Sequence, residues 1–325
     1  MSDSFAPARR PGPRFPRQGP LTRVYWNWEV TYECNYQCSY CYFWKEERYR
    51  QAYPSVPTVR WRQIWEAIFE DYGCGHIRFS GGEPFVYPDF IGLVSALAEL
   101  HTVDVTTNLA FDVQRFLREV EPGGVTLSAS FHPEFVALRD FLDSVRLLQE
   151  RGFPTSIAYV AYPPHLADLE RYKSEAEKCT LFKIIPFHGE FEGKKYPAGY
   201  SPEQKKLLEG AAANTTNPSQ KEINTQFLDR GASQKGPSTE KSCHMGELYA
   251  RILPSGEVTR CCHPDSGKLG SIFSPDLRLL DAPAPCAVEA CPCWKAMIVG
   301  RSEDKYSILW EMPKPKKGGC PAPQF

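Results

Sequence analysis

Alternating strand-like and helix-like stretches predict an α/β fold: a partial (β/α)6 TIM-like barrel followed by a small C-terminal α+β domain. Three observations carry this expectation. Between residues 23 and 200 the apolar spacing switches repeatedly between the period of a strand and that of a helix. Six strands can be placed there, whereas a closed barrel of this class needs eight, so an open sheet with right-handed crossovers is expected. Beyond residue 241 the pattern changes to a short hairpin and clustered cysteines.

The first 22 residues are rich in Pro and Arg and read as a flexible arm. Val24 to Tyr32 is aromatic and β-branched and reads as the first strand. From Thr58, an expected N-cap, Trp61, Ile64, Trp65, Ile68 and Phe69 recur at helical spacing. His76 to Ser80 is the second strand and Asp89 to Leu100 its helix. Thr102 to Thr107 with Val113 to Val120, Val125 to Ser130 with Phe135 to Glu150, and Ser156 to Ala161 with Leu166 to Lys178 repeat the unit. Leu181 to Phe187 closes the series. Residues 201–241 are polar and rich in Gly, Ser and Asn, as in a linker or insert. Residues 242–325 form the small domain, opening with a hairpin of Tyr249 to Leu253 and Glu257 to Arg260 around a "PSG" turn.

Composition narrows the function. A chain of 325 residues with 42% hydrophobic content and a formal net charge of -1 can bury a sizeable core and shows no basic excess to suggest a nucleic-acid partner. The longest mostly apolar run, Phe90 to Leu100, is too short to span a bilayer, and the N-terminus has the arginines of an export signal without its apolar stretch. A cytoplasmic protein with no membrane partner is expected. Twelve cysteines in a chain of this kind point to metal or redox chemistry, with Cys74 and Cys179 as small buried hydrophobes.

Parallel α/β folds bind ligands at the carboxyl ends of their strands. The first strand ends in "ECNYQCSYCYF", which puts Cys34, Cys38 and Cys41 in eight residues; the second ends in "SGGEP", the third in "TTN" and the fourth in "SASFHPE". A structural zinc site closes with four ligands, and this loop offers three. A [4Fe-4S] cluster can be held by three cysteines, leaving one iron open.

These residues resemble the radical S-adenosylmethionine (SAM) superfamily: C-x3-C-x2-C at Cys34, Cys38 and Cys41, aromatic Tyr40, and "GGEP" at Gly81 to Pro84. The resemblance implies that the open iron chelates SAM, that backbone groups of Gly81, Gly82 and Glu83 hold its amino group, and that the glycines admit it closely. One electron from the cluster then splits SAM to a 5′-deoxyadenosyl radical, which takes a hydrogen atom from substrate. Tyr40 is expected near the adenine, Asn108 near SAM, and Ser130 at the ribose or carboxylate with Ser128 as the alternative. A flavodoxin- or ferredoxin-like reductant is the expected electron donor.

The spacing C-x12-G-x4-C from Cys243 through Gly256 to Cys261 resembles the auxiliary-cluster domains called SPASM and twitch, and the short block at Cys286, Cys291 and Cys293 favours twitch, with one auxiliary [4Fe-4S] cluster. Cys243 and Cys261 are its expected ligands, completed by Cys291 and Cys293, with Cys286 as a substitute. A disulfide or four-thiolate zinc site is the competing reading. His188 and Glu190, after the sixth strand, are candidates to hold substrate or act as acid and base; Lys194 and Lys195 read as solvated, and His132 and Glu134 as turn residues. The preferred substrate is a small metabolite, because no peptide-recognition domain precedes Val24; a ribosomally made peptide is the alternative. A plain iron-sulfur electron carrier or a zinc-stabilised binding module would leave "GGEP" or the three-thiol loop unexplained.

Overall fold

The computed structural model describes residues 24–41, 46–215, 218–228, 242–263 and 266–286. Strands β1 (Tyr25–Thr31), β2 (His76–Gly81), β3 (Thr102–Thr107), β4 (Val125–Phe131), β5 (Thr155–Ala161) and β6 (Phe182–Pro186) run parallel in chain order. Helices α1 (Thr58–Tyr72), α2 (Phe90–Ala98), α3 (Val113–Glu119), α4 (Leu138–Glu150) and α5 (Leu169–Ala176) make the crossovers, as expected for an open barrel. Thr58 is the first helical residue of α1 and not its cap: Pro57 holds the cap position, and Thr58 Oγ1 donates to Asp89 Oδ2 at 2.6 Å.

The period-two alternation of β1 separates two environments. Trp26 and Trp28 point to the helical layer, where Trp28 meets Trp61 at 4.4 Å between ring centroids and Trp26 meets Trp65 edge-on at 5.7 Å. Burying each such ring contributes on the order of 2–3 kcal/mol, which anchors α1 to the sheet. The opposite, concave face is polar. Glu29, Asp104, Ser128 and Lys183 are buried, and Arg78 and Arg251, the latter paired with Glu29, are half-buried. Interiors of closed barrels are filled by branched apolar side chains; this lumen is built to hold something polar.

After β6 a small antiparallel hairpin forms from β7 (Gly189–Phe191) and β8 (Lys194–Tyr196). The segment read as a linker or insert holds two helices, α6 (Pro202–Ala213) and α7 (Pro218–Leu228). A capping box between Ser201 and Gln204 starts α6. On α7 the buried Gln220 and Asn224 turn toward β6: Phe182 N donates to Gln220 Oε1 and Ile184 N to Asn224 Oδ1, both at 2.9 Å. Their amides satisfy backbone groups that an edge strand would leave open.

Further on, β9 (Ser242–Cys243), β10 (Tyr249–Ile252), β11 (Glu257–Thr259), β12 (Lys268–Ser271) and β13 (Ala284–Pro285) complete the described elements. The expected hairpin is β10–β11, paired Arg251 to Thr259 and Ile252 to Val258. It joins the barrel sheet directly: β10 runs parallel to β1, Tyr25 opposite Tyr249 and Trp28 opposite Ile252, so one nine-stranded sheet has the order β12-β11-β10-β1-β2-β3-β4-β5-β6. Among the described residues no helix is long and apolar enough to cross a membrane.

Candidate active site

The strand ends converge on a cavity of about 290 Å³. Cys34, Cys38, Cys41 and Tyr40 come to it from the loop after β1, Gly81 to Glu83 from β2, Asn108 from β3, Ser130 from β4 and His188 from β6. The three thiols share this wall and act electrostatically on one another. Burial pushes Cys34 up to about 11 and Cys38 up to about 12, so each carries its proton at neutral pH until a metal displaces it. Among the described residues no three His, Cys, Asp or Glu side chains group around a point for a single metal ion. A cluster asks for less convergence, because each cysteine binds its own iron. The donor set therefore fits a cubane: three soft thiols from one loop beside a backbone cradle.

Close approach fixes the cradle. A Cβ on Gly82 would lie 2.1 Å from the carbonyl oxygen of Glu33, and one on Gly81, at φ +119°, would lie 2.2 Å from that of Thr31. The expected reason for these glycines was access for a ligand; the contact that demands them is with the cysteine loop's own backbone. Gly82 N donates to Thr31 O and Glu83 N to Glu33 O, both at 2.9 Å, so their amides already hold that loop. Pro84 is buried and begins a short 3-10 turn. Glu83 is buried and accepts from Asn108 N at 2.7 Å, Thr107 Oγ1 at 2.8 Å and Phe85 N at 3.1 Å. Burial outweighs these donors and pushes its carboxyl up to about 7. Asn108 Nδ2 donates to Asn35 Oδ1 at 2.8 Å, tying the third strand end to the cysteine loop.

Some expected site residues stand elsewhere. Ser130 lines the cavity, whereas Ser128, two residues back on the same face, donates to Asp104 Oδ1 at 3.1 Å one layer deeper. His188 lines the cavity; Glu190 is exposed on β7, opposite Lys195, and is outside the cavity lining. His132 and Glu134 do make a turn, since His132 O accepts from Phe135 N, but both side chains also serve the site. Tyr40 Oη lies 2.7 Å from His132 Nδ1, and Cys38 Sγ lies 3.3 Å from the same atom. Glu134 accepts from Ser39 N at 2.9 Å and from Ser39 Oγ at 2.5 Å, pinning the loop between Cys38 and Cys41. Their place at a strand's carboxyl end was the signal available for both.

The second cysteine group gathers beside β1. Cys243 has Cys261 and Cys286 as electrostatic neighbours, and all three are half-buried. Pairing of β9 with β13 sets Ala284 opposite Cys243, which brings Cys286 alongside. Arg260 staples the region by donating to the carbonyls of Met245 at 2.6 Å, Ala284 at 2.5 Å and Pro285 at 2.7 Å. Cys286, the expected substitute, is thus placed with Cys243 and Cys261; Cys291 and Cys293 lie outside the described residues. Cys74 and Cys179 are half-buried rather than core hydrophobes.

Comparison with known proteins bears on this geometry. Residues 28–172 match the model of the Radical SAM superfamily. The chain is 27% identical over 252 residues to the PqqA peptide cyclase of Granulibacter bethesdensis, covering 72% of this chain and 66% of that protein, just under two thirds. A GTP 3',8-cyclase of Photorhabdus laumondii is 30% identical over 101 residues, 30% of each protein. Among solved structures, SuiB of Streptococcus suis bound to S-adenosylmethionine superposes with a TM-score of 0.55 at 15% identity, covering 80% of this chain and 66% of that one. The anSMEcpe enzyme with bound AdoMet gives 0.53 at 15% identity over 77% of this chain and 75% of its own. At these identities the structures establish the fold, a partial barrel. Residues 28–172 thus match the domain of a superfamily of enzymes whose cofactors are a [4Fe-4S] cluster and S-adenosylmethionine.

Proposed function

We propose that this protein is a radical SAM enzyme that modifies a peptide, with Cys34, Cys38 and Cys41 as ligands of the SAM-binding cluster. The cavity that joins these thiols to Gly81–Glu83 at the carboxyl ends of parallel strands is the observation that carries the reading. Reduced cluster and SAM together supply a 5′-deoxyadenosyl radical that abstracts a hydrogen atom. The chain's own part is positional. Gly81 and Gly82 let the cysteine loop pack on β2, Asn108 and Glu134 hold that loop from two further strands, and Ser130, Tyr40 and His188 face the space left for SAM and substrate.

The expectation of a small metabolite gives way to the peptide alternative. Over 72% of the chain the relatives are named as peptide cyclases, while the GTP cyclase matches only 30% of it. In the C-terminal region Cys243, Cys261 and Cys286, with Cys291 or Cys293, are the proposed ligands of an auxiliary cluster. Domain limits at residues 200 and 241, a cytoplasmic location and a flavodoxin- or ferredoxin-like reductant belong to the same proposal.

Anaerobic reconstitution with iron and sulfide, followed by SAM and dithionite, tests it. About eight irons per chain with 5′-deoxyadenosine formed is the expected result. A fully loaded protein that releases no 5′-deoxyadenosine, alone or with candidate peptides, would refute the assignment.

A further inference from the structure

The lumen beneath the cavity holds a cation that the fold does not neutralise. Lys183 lies on β6, two residues before Ile185 and on the same face, and Ile185 lines the cavity. Two residues of strand place it roughly 7 Å deeper, within reach of an extended lysine side chain. It is 8% exposed, and among the described residues its ammonium group makes no hydrogen bond or ion pair. Its electrostatic neighbours are Arg78 and Asp104.

Asp104 is already engaged. Its carboxylate faces Arg78 Nε at 3.5 Å and accepts from Ser128 Oγ and Thr126 Oγ1, both at 3.1 Å. Arg78 also donates to Thr106 Oγ1 at 3.0 Å, and Thr106 is part of the cavity lining, so the guanidinium lies directly under the cavity floor. The other lumen pair, Arg251 with Glu29, is bidentate at 2.6 and 2.8 Å and closed on itself. Two cations thus share one carboxylate in a buried space. A buried ammonium without a partner is costly, and burial with Arg78 nearby pushes Lys183 down to about 8. An arriving anion would remove that cost.

We infer that Lys183, backed by Arg78, is the anchor for a carboxylate of the substrate, making an acidic side chain or a free C-terminus the feature this enzyme selects. The inference rests on the proposed reading of the cavity as the SAM and substrate site. A carboxylate at Lys183 would lie at the bottom of the lumen, leaving the adjoining part of the substrate toward the thiols and Ser130.

The test uses the reconstituted full-length holoenzyme with SAM. Three capped probes are compared by saturation-transfer NMR: N-acetylglutamate α-amide, its neutral counterpart N-acetylglutamine α-amide, and N-acetylalanine, which carries only a terminal carboxylate. One or both carboxylate probes should bind more tightly than the amide by roughly ten- to a hundredfold, the value of a charge-assisted hydrogen bond. Which of the two binds identifies the source of the carboxylate. Lys183→Met should abolish the difference and Lys183→Arg should keep most of it, which separates loss of charge from loss of fold. Equal binding of amide and carboxylate, no binding of any probe, or an undiminished difference in Lys183→Met would overturn the inference. So would a Lys183→Met protein in which SAM affinity falls while probe binding does not. Formation of 5′-deoxyadenosine by the unsubstituted enzyme reports separately on the radical SAM reading.

Discussion

Gly82→Ala is the sharpest perturbation the site allows. The new methyl carbon would lie 2.1 Å from Glu33 O and 2.7 Å from Tyr32 O, against an ordinary contact of 3.4 Å or more. Both atoms are backbone, so relief requires the cysteine loop to withdraw by roughly 1.3 Å, and packed interiors resist such shifts. That movement stretches the hydrogen bonds Gly82 N to Thr31 O and Glu83 N to Glu33 O. Overpacking of about 1–3 kcal/mol and about 1 kcal/mol for each of the two weakened bonds put the cost at roughly 3–5 kcal/mol. Cys34 follows Glu33 directly, so the thiols move with the loop. A displacement of this size at a reacting centre lowers the rate by roughly a hundredfold. Gly210→Ala is the control, since a Cβ there meets nothing within 4 Å. The assay is iron per chain after anaerobic reconstitution and the rate of 5′-deoxyadenosine release. If Gly82→Ala loads iron and cleaves SAM as the unsubstituted protein does, the packing account of this glycine fails.

Four further outcomes are expected. Cys38→Ala should abolish SAM cleavage while keeping the auxiliary iron, and Cys261→Ala should spare cleavage of SAM alone but impair substrate turnover; iron analysis and product assays on each separate the two clusters. Because Glu83 titrates higher folded than unfolded, its contribution to stability is complete below about pH 4.5 and is lost as pH rises through about 7. Denaturant unfolding of the metal-free protein should show that slope, about 3 kcal/mol in all, disappear in Glu83→Gln. Arg251→Met should cost roughly 3 kcal/mol by leaving the buried Glu29 with the neutral Tyr32 Oη as donor and no cation, and adding Glu29→Gln should recover part of the loss in the same measurement. Asn224→Leu should cost roughly 1–3 kcal/mol because Ile184 N loses its acceptor, and should raise hydrogen exchange at that amide.

What could be read from the sequence divides along the range of the interaction responsible. The aromatic and β-branched run of β1 and the helical spacing of α1 are local patterns, and they place strand and helix to within a few residues. The motifs at the strand ends follow from parallel topology alone, so the thiols, Gly81, Gly82, Asn108 and Ser130 could be gathered on one rim in advance. His132 escaped because its side chain acts on Tyr40 across 92 positions, and no periodicity reports such a contact. Ser128 and Ser130 share a face, so only depth separates them, and depth depends on where Asp104 lies in the neighbouring strand. Helix α7 was concealed by its own chemistry. The Gln and Asn that made residues 201–241 look like linker are what its buried face needs against an edge strand.

Both edges of the six-stranded sheet are occupied by residues that come after it in the chain. At β1 the partner is β10, whose Tyr249 stacks on Tyr25 at 5.7 Å and whose Arg251 reaches across to Glu29 in the lumen. At β6 it is α7, through the side-chain amides of Gln220 and Asn224. An open sheet of parallel strands exposes unpaired backbone at either side, and the two solutions differ because the demands differ. A strand extends the sheet and carries an arginine into the lumen beside β1; a helix ends the sheet and adds no strand beyond Lys183. The hairpin that follows β10 also carries Cys261, so the same strand that completes the barrel wall positions the second cysteine group against it. Two cysteine groups far apart in sequence are thereby held at the two ends of β1: Cys34, Cys38 and Cys41 follow its carboxyl end, and Cys243 and Cys261 pack against Tyr25 at its start.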